Sequence, residues 1–180
     1  MEGQPRRRAS SPSTPGSLTS STPSAVLRTI LDTPGKDRFD VRTSPRFTVA
    51  GAPPPAAFIE RLEKELGWHF MQIYGLTETA PLLTISRPDA TTETEDWPRR
   101  ARAGVAGIGV QLAVLGEDGR PVAKDGVAVG EVCARSNVVF AGYYEQPEQT
   151  AEAIYDGYFH TGDLAVWDEY ENIHIVDRKK

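Results

Sequence analysis

Between Arg46 and Gly75 the chain changes hydrophobic rhythm twice, and this limits its fold more than any other feature. Arg46 to Ala50 (RFTVA) reads as a strand, and Gly51-Ala52-Pro53-Pro54-Pro55 breaks it. Phe58, Ile59, Leu62 and Leu66 then mark one face of a helix that Gly67 ends. His69 to Tyr74 (HFMQIY) reads as a second strand running into Gly75. Strand, helix and strand within about 30 residues is the spacing of a parallel βαβ unit, in which ligands bind beyond the carboxyl ends of the strands. Gly51 and Gly75 both fall at such ends.

The flanks fill out the plan. Val26, Leu27, Ile30 and Leu31 have helical spacing, and Pro34-Gly35 stops the run. Residues 87–103 are polar and contain proline, which predicts a surface connection. Beyond it Val110 to Leu115 and Glu131 to Ala134 read as strands, with turn signals at Glu117-Asp118-Gly119 and Lys124-Asp125-Gly126. Pro147 opens a short helix over 148–154, and Leu164 to Trp167 pairs with Ile173 to Val176 as a hairpin around 168–172. The expected fold class is α/β: part of a parallel βαβ layer over 25–86, the connection 87–103, and a β-rich, barrel-like portion over 104–180. A ligand site is expected at their junction. The charged end Asp177-Arg178-Lys179-Lys180 directly after a strand suggests truncation.

Composition excludes several classes. Residues 1–24 hold seven Ser, three Thr and four Pro with almost no large apolar side chain, so this head is expected to be disordered. Its three Arg and one Glu give +2 against −5 for the whole chain, leaving −7 on the remainder, which disfavours a nucleic-acid partner. Within the head, Arg6-Arg7-Arg8 before Ser10 also fits a basophilic kinase site, and the Arg- and Ser-rich composition fits a transit peptide. Cys133 is the single cysteine and His69, His160 and His174 show no zinc-ligand spacing, so neither a disulfide scaffold nor a structural zinc site is expected. No run approaches the roughly 18–20 apolar residues of a membrane span, and no secretory leader is legible, pointing to a soluble, cytoplasmic protein.

Three polar segments could carry chemistry. In Tyr74-Gly75-Leu76-Thr77-Glu78-Thr79 an aromatic, a glycine, a hydroxyl and a carboxylate follow a strand, suited to a nucleotide and Mg²⁺, although a plain strand-to-loop transition is the commoner reading of an isolated match. In Tyr158-Phe159-His160-Thr161-Gly162-Asp163 a carboxylate follows a glycine turn, suited either to ribose hydroxyls or to capping that turn. Asp177-Arg178-Lys179-Lys180 is a third candidate, or a solvated charged end.

In order, YGLTETAP, GEVCARSNVVFAGYYEQPEQT, YFHTGDLAVW and DRKK resemble the signature blocks of the adenylate-forming (AMP-dependent synthetase/ligase) superfamily, of the acyl-CoA synthetase or fatty-acid-CoA ligase type, over about residues 25–180. The resemblance implies part of that family's large N-terminal domain and a two-step reaction. A carboxylic acid and ATP with Mg²⁺ give an acyl-adenylate and pyrophosphate, and coenzyme A then displaces AMP. It also implies that Tyr74 stacks on adenine beside Gly51, Ala52 and Gly75. Thr77 contacts the α-phosphate, Glu78 binds Mg²⁺, Asp163 and Arg178 hold the ribose, and Lys180 is the hinge to a C-terminal domain.

The departures carry expectations too. The family's Ser/Thr/Gly-rich phosphate loop and the C-terminal domain with its adenylation lysine are not found in these 180 residues, so the chain alone is expected to bind nucleotide weakly at most. Glu171 stands where the family has a turn glycine, which predicts strain. The alternative to an enzyme fragment is a non-catalytic remnant or interaction module.

Overall fold

The computed structural model describes residues 19–21, 24–38, 45–51, 54–86 and 96–179. In chain order its first elements are β1 (Thr19–Ser21), α1 (Ser24–Asp32), β2 (Arg46–Ala50), α2 (Ala56–Leu66) and β3 (His69–Tyr74). A 3-10 turn at Thr77–Thr79 leads to β4 (Thr84–Ser86), α3 (Trp97–Arg100) and β5 (Val105–Ala106). These five strands form one sheet in the order β1-β2-β3-β4-β5.

The βαβ expectation holds at residue level. β2 and β3 run parallel, with Arg46 opposite His69 and Ala50 opposite Ile73. Between them, α2 buries Phe58, Ile59 and Leu62, which pack with Leu27 and Leu31 of α1 and with Val49 and Phe70 of the sheet. Gly67 ends α2 in the left-handed conformation at φ 66°, its N–H donating 3.0 Å to the Glu63 carbonyl.

Two boundaries differ from the expected ones. Within the head expected to be disordered, Thr19–Ser21 pairs in parallel with Arg46–Thr48. Poverty in apolar residues prevents a segment from folding by itself, but backbone hydrogen bonding to an existing sheet edge does not require apolar side chains. The rest of the head, 1–18 with 22–23, lies outside the described residues. The connection expected at 87–103 is described from 96, and from there it is structural. α3 buries Arg99 and Arg100, and Arg100 pairs with Glu63 of α2, Nη1 lying 2.7 Å from Oε2. Val105–Ala106 then joins the first sheet through β4, so the change of sheet falls after residue 106 rather than at 104.

The barrel-like portion is a second, antiparallel sheet. It contains β6 (Gln111–Leu115) and β7 (Gly130–Arg135), followed by α4 (Pro147–Ala153), β8 (Ile154–Tyr155), β9 (Tyr158–Trp167) and β10 (Ile173–Arg178). The order is β10-β9-β7-β6, with β8 also on β9. Irregular register on both sides of β9 bends this sheet. Val114, Val132, Ala165, Trp167 and Ile173 fill its core, and Tyr74 packs against them from the first sheet.

The sheets are locked together near Gly104, whose N–H···O partners include Ile173 on β10. A Cβ on Gly104 would stand 2.1 Å from the Ile85 carbonyl oxygen, so this junction requires glycine. Among the described residues no helix is long and apolar enough to cross a membrane.

Candidate functional site

The carboxyl end of β3 meets the second sheet, and three of the predicted residues, Tyr74, Asp163 and Arg178, come together there. Gly51 follows β2 at φ 95° with open space around its Cβ position, and its carbonyl accepts from Gln72 Nε2 at 3.0 Å. Ala52 lies outside the described residues. Gly75 permits a close approach, but the neighbour is the chain itself: a Cβ there would be 1.8 Å from the Pro81 carbonyl oxygen. The glycine therefore allows the turn that carries Thr77 and Glu78.

That turn is built by Thr79. Its buried hydroxyl accepts from Leu76 N at 2.9 Å and donates to Leu76 O at 3.0 Å. With the backbone so satisfied, Thr77 is left exposed, its hydroxyl available to a ligand. Glu78 is half-buried, and its Oε1 accepts from the Tyr143 hydroxyl at 3.0 Å while Phe140 N donates to its carbonyl at 2.8 Å. Its second carboxylate oxygen has no hydrogen-bond partner among the described residues, so a hard oxygen donor remains for a cation such as Mg²⁺.

From the other sheet comes Asp163. The sequence predicts a glycine turn just before it, but Tyr158–Trp167 is one long strand interrupted by a bulge. Pairing jumps from Cys133↔His160 to Glu131↔Leu164, so Thr161, Gly162 and Asp163 face a gap in the ladder. Gly162 takes φ 73°, and the Glu131 side chain replaces the missing backbone partner, its Oε1 accepting from Gly162 N at 3.0 Å. The bulge turns Asp163 toward the first sheet. There the Tyr74 hydroxyl donates to Asp163 Oδ2 at 2.7 Å, and Arg178 Nε lies 3.6 Å from Oδ1. Tyr74, Asp163 and Arg178 are thus brought together; Lys180 lies outside the described residues.

Electrostatics follow from this packing. Burial above all, reinforced by the Asp163 carboxylate, pushes the Tyr74 phenol far above its ordinary range, so it is a permanent donor. Burial, then the neighbouring Glu78, also raises Tyr143.

Sequence reasoning missed Tyr143, although it lies within GEVCARSNVVFAGYYEQPEQT; no local signal announces that it reaches Glu78, 65 residues away. It also missed a cluster behind the bulge. Cys133 Sγ lies 3.3 Å from His160 Nδ1, which is 3.2 Å from Glu131 Oε2. Lys179 Nζ lies 3.2 Å from the same oxygen, and the Tyr155 ring stacks on His160 at 3.6 Å. Burial pushes the Cys133 thiol up to about 12.

The model for AMP-binding enzymes matches residues 16–144. A long-chain-fatty-acid–CoA ligase of Thermus thermophilus is 40% identical over 145 residues, covering 78% of this chain and 27% of that relative. A 4-hydroxybutyrate–CoA ligase 2 of Metallosphaera sedula is 39% identical over 136 residues, 73% of this chain and 25% of the relative. The chain thus spans about a quarter of the length of these relatives. The inhibitor-bound N-terminal domain of FACL13 from Mycobacterium tuberculosis superposes with a TM-score of 0.77 at 30% identity, over 89% of this chain and 38% of that one.

Proposed function

The chain belongs to the AMP-binding enzyme family, and from that premise we propose that it forms the adenine-, ribose- and metal-facing part of an ATP-dependent acyl-CoA synthetase for a carboxylic acid of the fatty-acid type. The acid class rests on likeness to the fatty-acid–CoA ligase of Thermus thermophilus. ATP is attacked at its α-phosphorus by the acid's carboxylate oxygen, and the bond to pyrophosphate breaks. The thiol of coenzyme A then attacks the acyl carbonyl, and AMP leaves.

In this reading Tyr74 offers its ring to adenine beside Gly51, Ala52 and Gly75, and Thr77 donates to an α-phosphate oxygen. Asp163, held by Tyr74 and Arg178, accepts from the ribose hydroxyls, and Arg178 adds a second ribose contact. Glu78 holds Mg²⁺, which when bound offsets phosphate charge. Tyr143 keeps the Glu78 carboxylate oriented, and Lys180 acts as hinge. A cytoplasmic setting belongs to the same reading.

The observation that carries it is the meeting of the Tyr74, Asp163 and Arg178 side chains beside the Thr77–Thr79 turn at the junction of the sheets. The test is acid-dependent exchange of pyrophosphate into ATP by this chain joined to its genomic flanking sequence. Exchange that Glu78→Ala abolishes is expected, and no exchange in the joined protein overturns the reading.

One observation favours a non-catalytic module instead. Both carboxylate oxygens of Asp163 face protein groups, so the cluster can clip the sheets together without a nucleotide. The same exchange assay separates the two.

A further inference from the structure

Behind the Asp163 bulge, three side chains with electron pairs converge on one point. Cys133 and His160 are directly opposite one another on β7 and β9, and Glu131 reaches the same place because the register slips beside it. Their ligand atoms all lie within 4.8 Å of one another, with Sγ to Nδ1 at 3.3 Å and Nδ1 to Oε2 at 3.2 Å. In a tetrahedral zinc site, bonds of about 2.3 Å to sulfur and about 2.0–2.1 Å to nitrogen or oxygen place neighbouring ligand atoms roughly 3.3–3.6 Å apart. The two short edges therefore fit within a few tenths of an ångström.

If His160 Nδ1 carries its proton, it donates to Glu131 with the Cys133 sulfur beside it as a weak acceptor. If Nδ1 is bare, it accepts from the thiol and sets a lone pair against the carboxylate. A single cation satisfies all three at once.

We propose that Glu131, Cys133 and His160 bind a thiophilic divalent cation of the zinc class. The thiol's S–H bond breaks as the metal–sulfur bond forms, and the proton leaves to solvent. The fourth position opens toward solvent, because Glu131 and His160 line two adjoining cavities of about 460 and 690 Å³ that also share Tyr155 and Lys179. Tyr155, stacked on His160 with 7° between the rings, holds the imidazole plane.

Two features limit the affinity. Lys179 competes for Glu131 Oε2. With metal on Nδ1 the imidazole proton sits on Nε2, which is buried without a partner among the described residues. Loss of such outer-shell support costs about 10–100-fold, so binding at roughly micromolar concentrations is expected. The site is independent of the nucleotide reading: metal binding can succeed or fail whatever the exchange assay gives.

Anaerobic titration of the purified 180-residue chain with Co²⁺, followed by Zn²⁺, tests it. A one-to-one thiolate-to-cobalt charge-transfer band is expected, bleached by Zn²⁺ and absent from Cys133→Ala with an unchanged circular dichroism spectrum. Lys179→Met, at an exposed position, removes the competing ammonium and is expected to tighten binding about fivefold. The proposal is overturned by absence of the band from the wild-type chain, by its persistence in Cys133→Ala, or by Lys179→Met binding no tighter. If Cys133→Ala misfolds, the wild-type band and the Lys179→Met comparison decide.

Discussion

The hydroxyl of Tyr74 donates to Oδ2 of Asp163 across 2.7 Å and 89 residues of sequence. The bond joins the carboxyl end of β3 to the bulge of β9, so the residues proposed to face adenine and ribose also hold the two sheets in register. In the proposed reading, the geometry of the site and the packing of the two sheets share this contact.

A double-mutant cycle measures that coupling. Tyr74→Phe removes the donor while keeping the ring, and Asp163→Asn removes the charge. Because the acceptor is a carboxylate only 15% exposed, a coupling energy of about 1–2 kcal/mol is expected in urea denaturation. Strictly additive losses would show that the bond does not hold the sheets.

Arg100 and Glu63 form a second cross-link, between α3 and α2, with Arg100 3% exposed. Glu63 also accepts from Phe70 N at 2.9 Å, so it anchors β3. Arg100→Met leaves the carboxylate without its main partner and should cost about 3–5 kcal/mol. Adding Glu63→Gln, which retains an acceptor for Phe70, should recover part of the loss. Denaturant midpoints of the single and double variants check this.

The turn before Asn172 bears out the expected strain. Glu171 lies at φ 61°, held by Glu171 N donating to the Asp168 carbonyl and by Asp168 Oδ1 accepting from Tyr170 N and Asn172 N. Left-handed backbone costs a non-glycine residue about 1–2 kcal/mol, whereas the exposed ion pair of Glu171 with Lys124 contributes at most about 1 kcal/mol. Glu171→Gly should therefore stabilise the chain by about 0.5–1 kcal/mol, read as a higher denaturation midpoint.

Asp125 supplies a pH test. Hydrogen bonds from the backbone N–H groups of Ala128 and Val127 hold its carboxyl below the ordinary range. A depressed folded-state value means that the contribution is present above the unfolded value, about 3.9, and is lost as pH falls through the folded one. The stability gap between wild type and Asp125→Ala should be constant near neutrality and close below about pH 4. A gap that widens on acidification contradicts this assignment.

Legibility in the sequence followed range. The apolar face of α2, its stop at Gly67 and the paired strands around it depend on neighbours within a few residues, and all were readable. The strand at Thr19–Ser21 was not, because its reason for existing is the edge of β2. Arg99 and Arg100 fall in the polar stretch expected as a surface connection, and burial of Arg100 makes sense only once Glu63 is seen opposite. The Tyr158–Asp163 segment looked like a turn because Gly162 is a turn signal; here the glycine serves a bulge inside a strand.

Sequence alone determined the βαβ unit and the family resemblance of the ordered motifs, since periodicity and motifs are local properties. Tertiary structure alone decided that Glu131 fills the gap at Gly162, that Tyr143 reaches Glu78, and that the single cysteine, scattered from every histidine in sequence, faces His160. The physical reason is register: antiparallel pairing across tens of residues, with a bulge that shifts it, sets cross-strand neighbours that no spacing along the chain encodes.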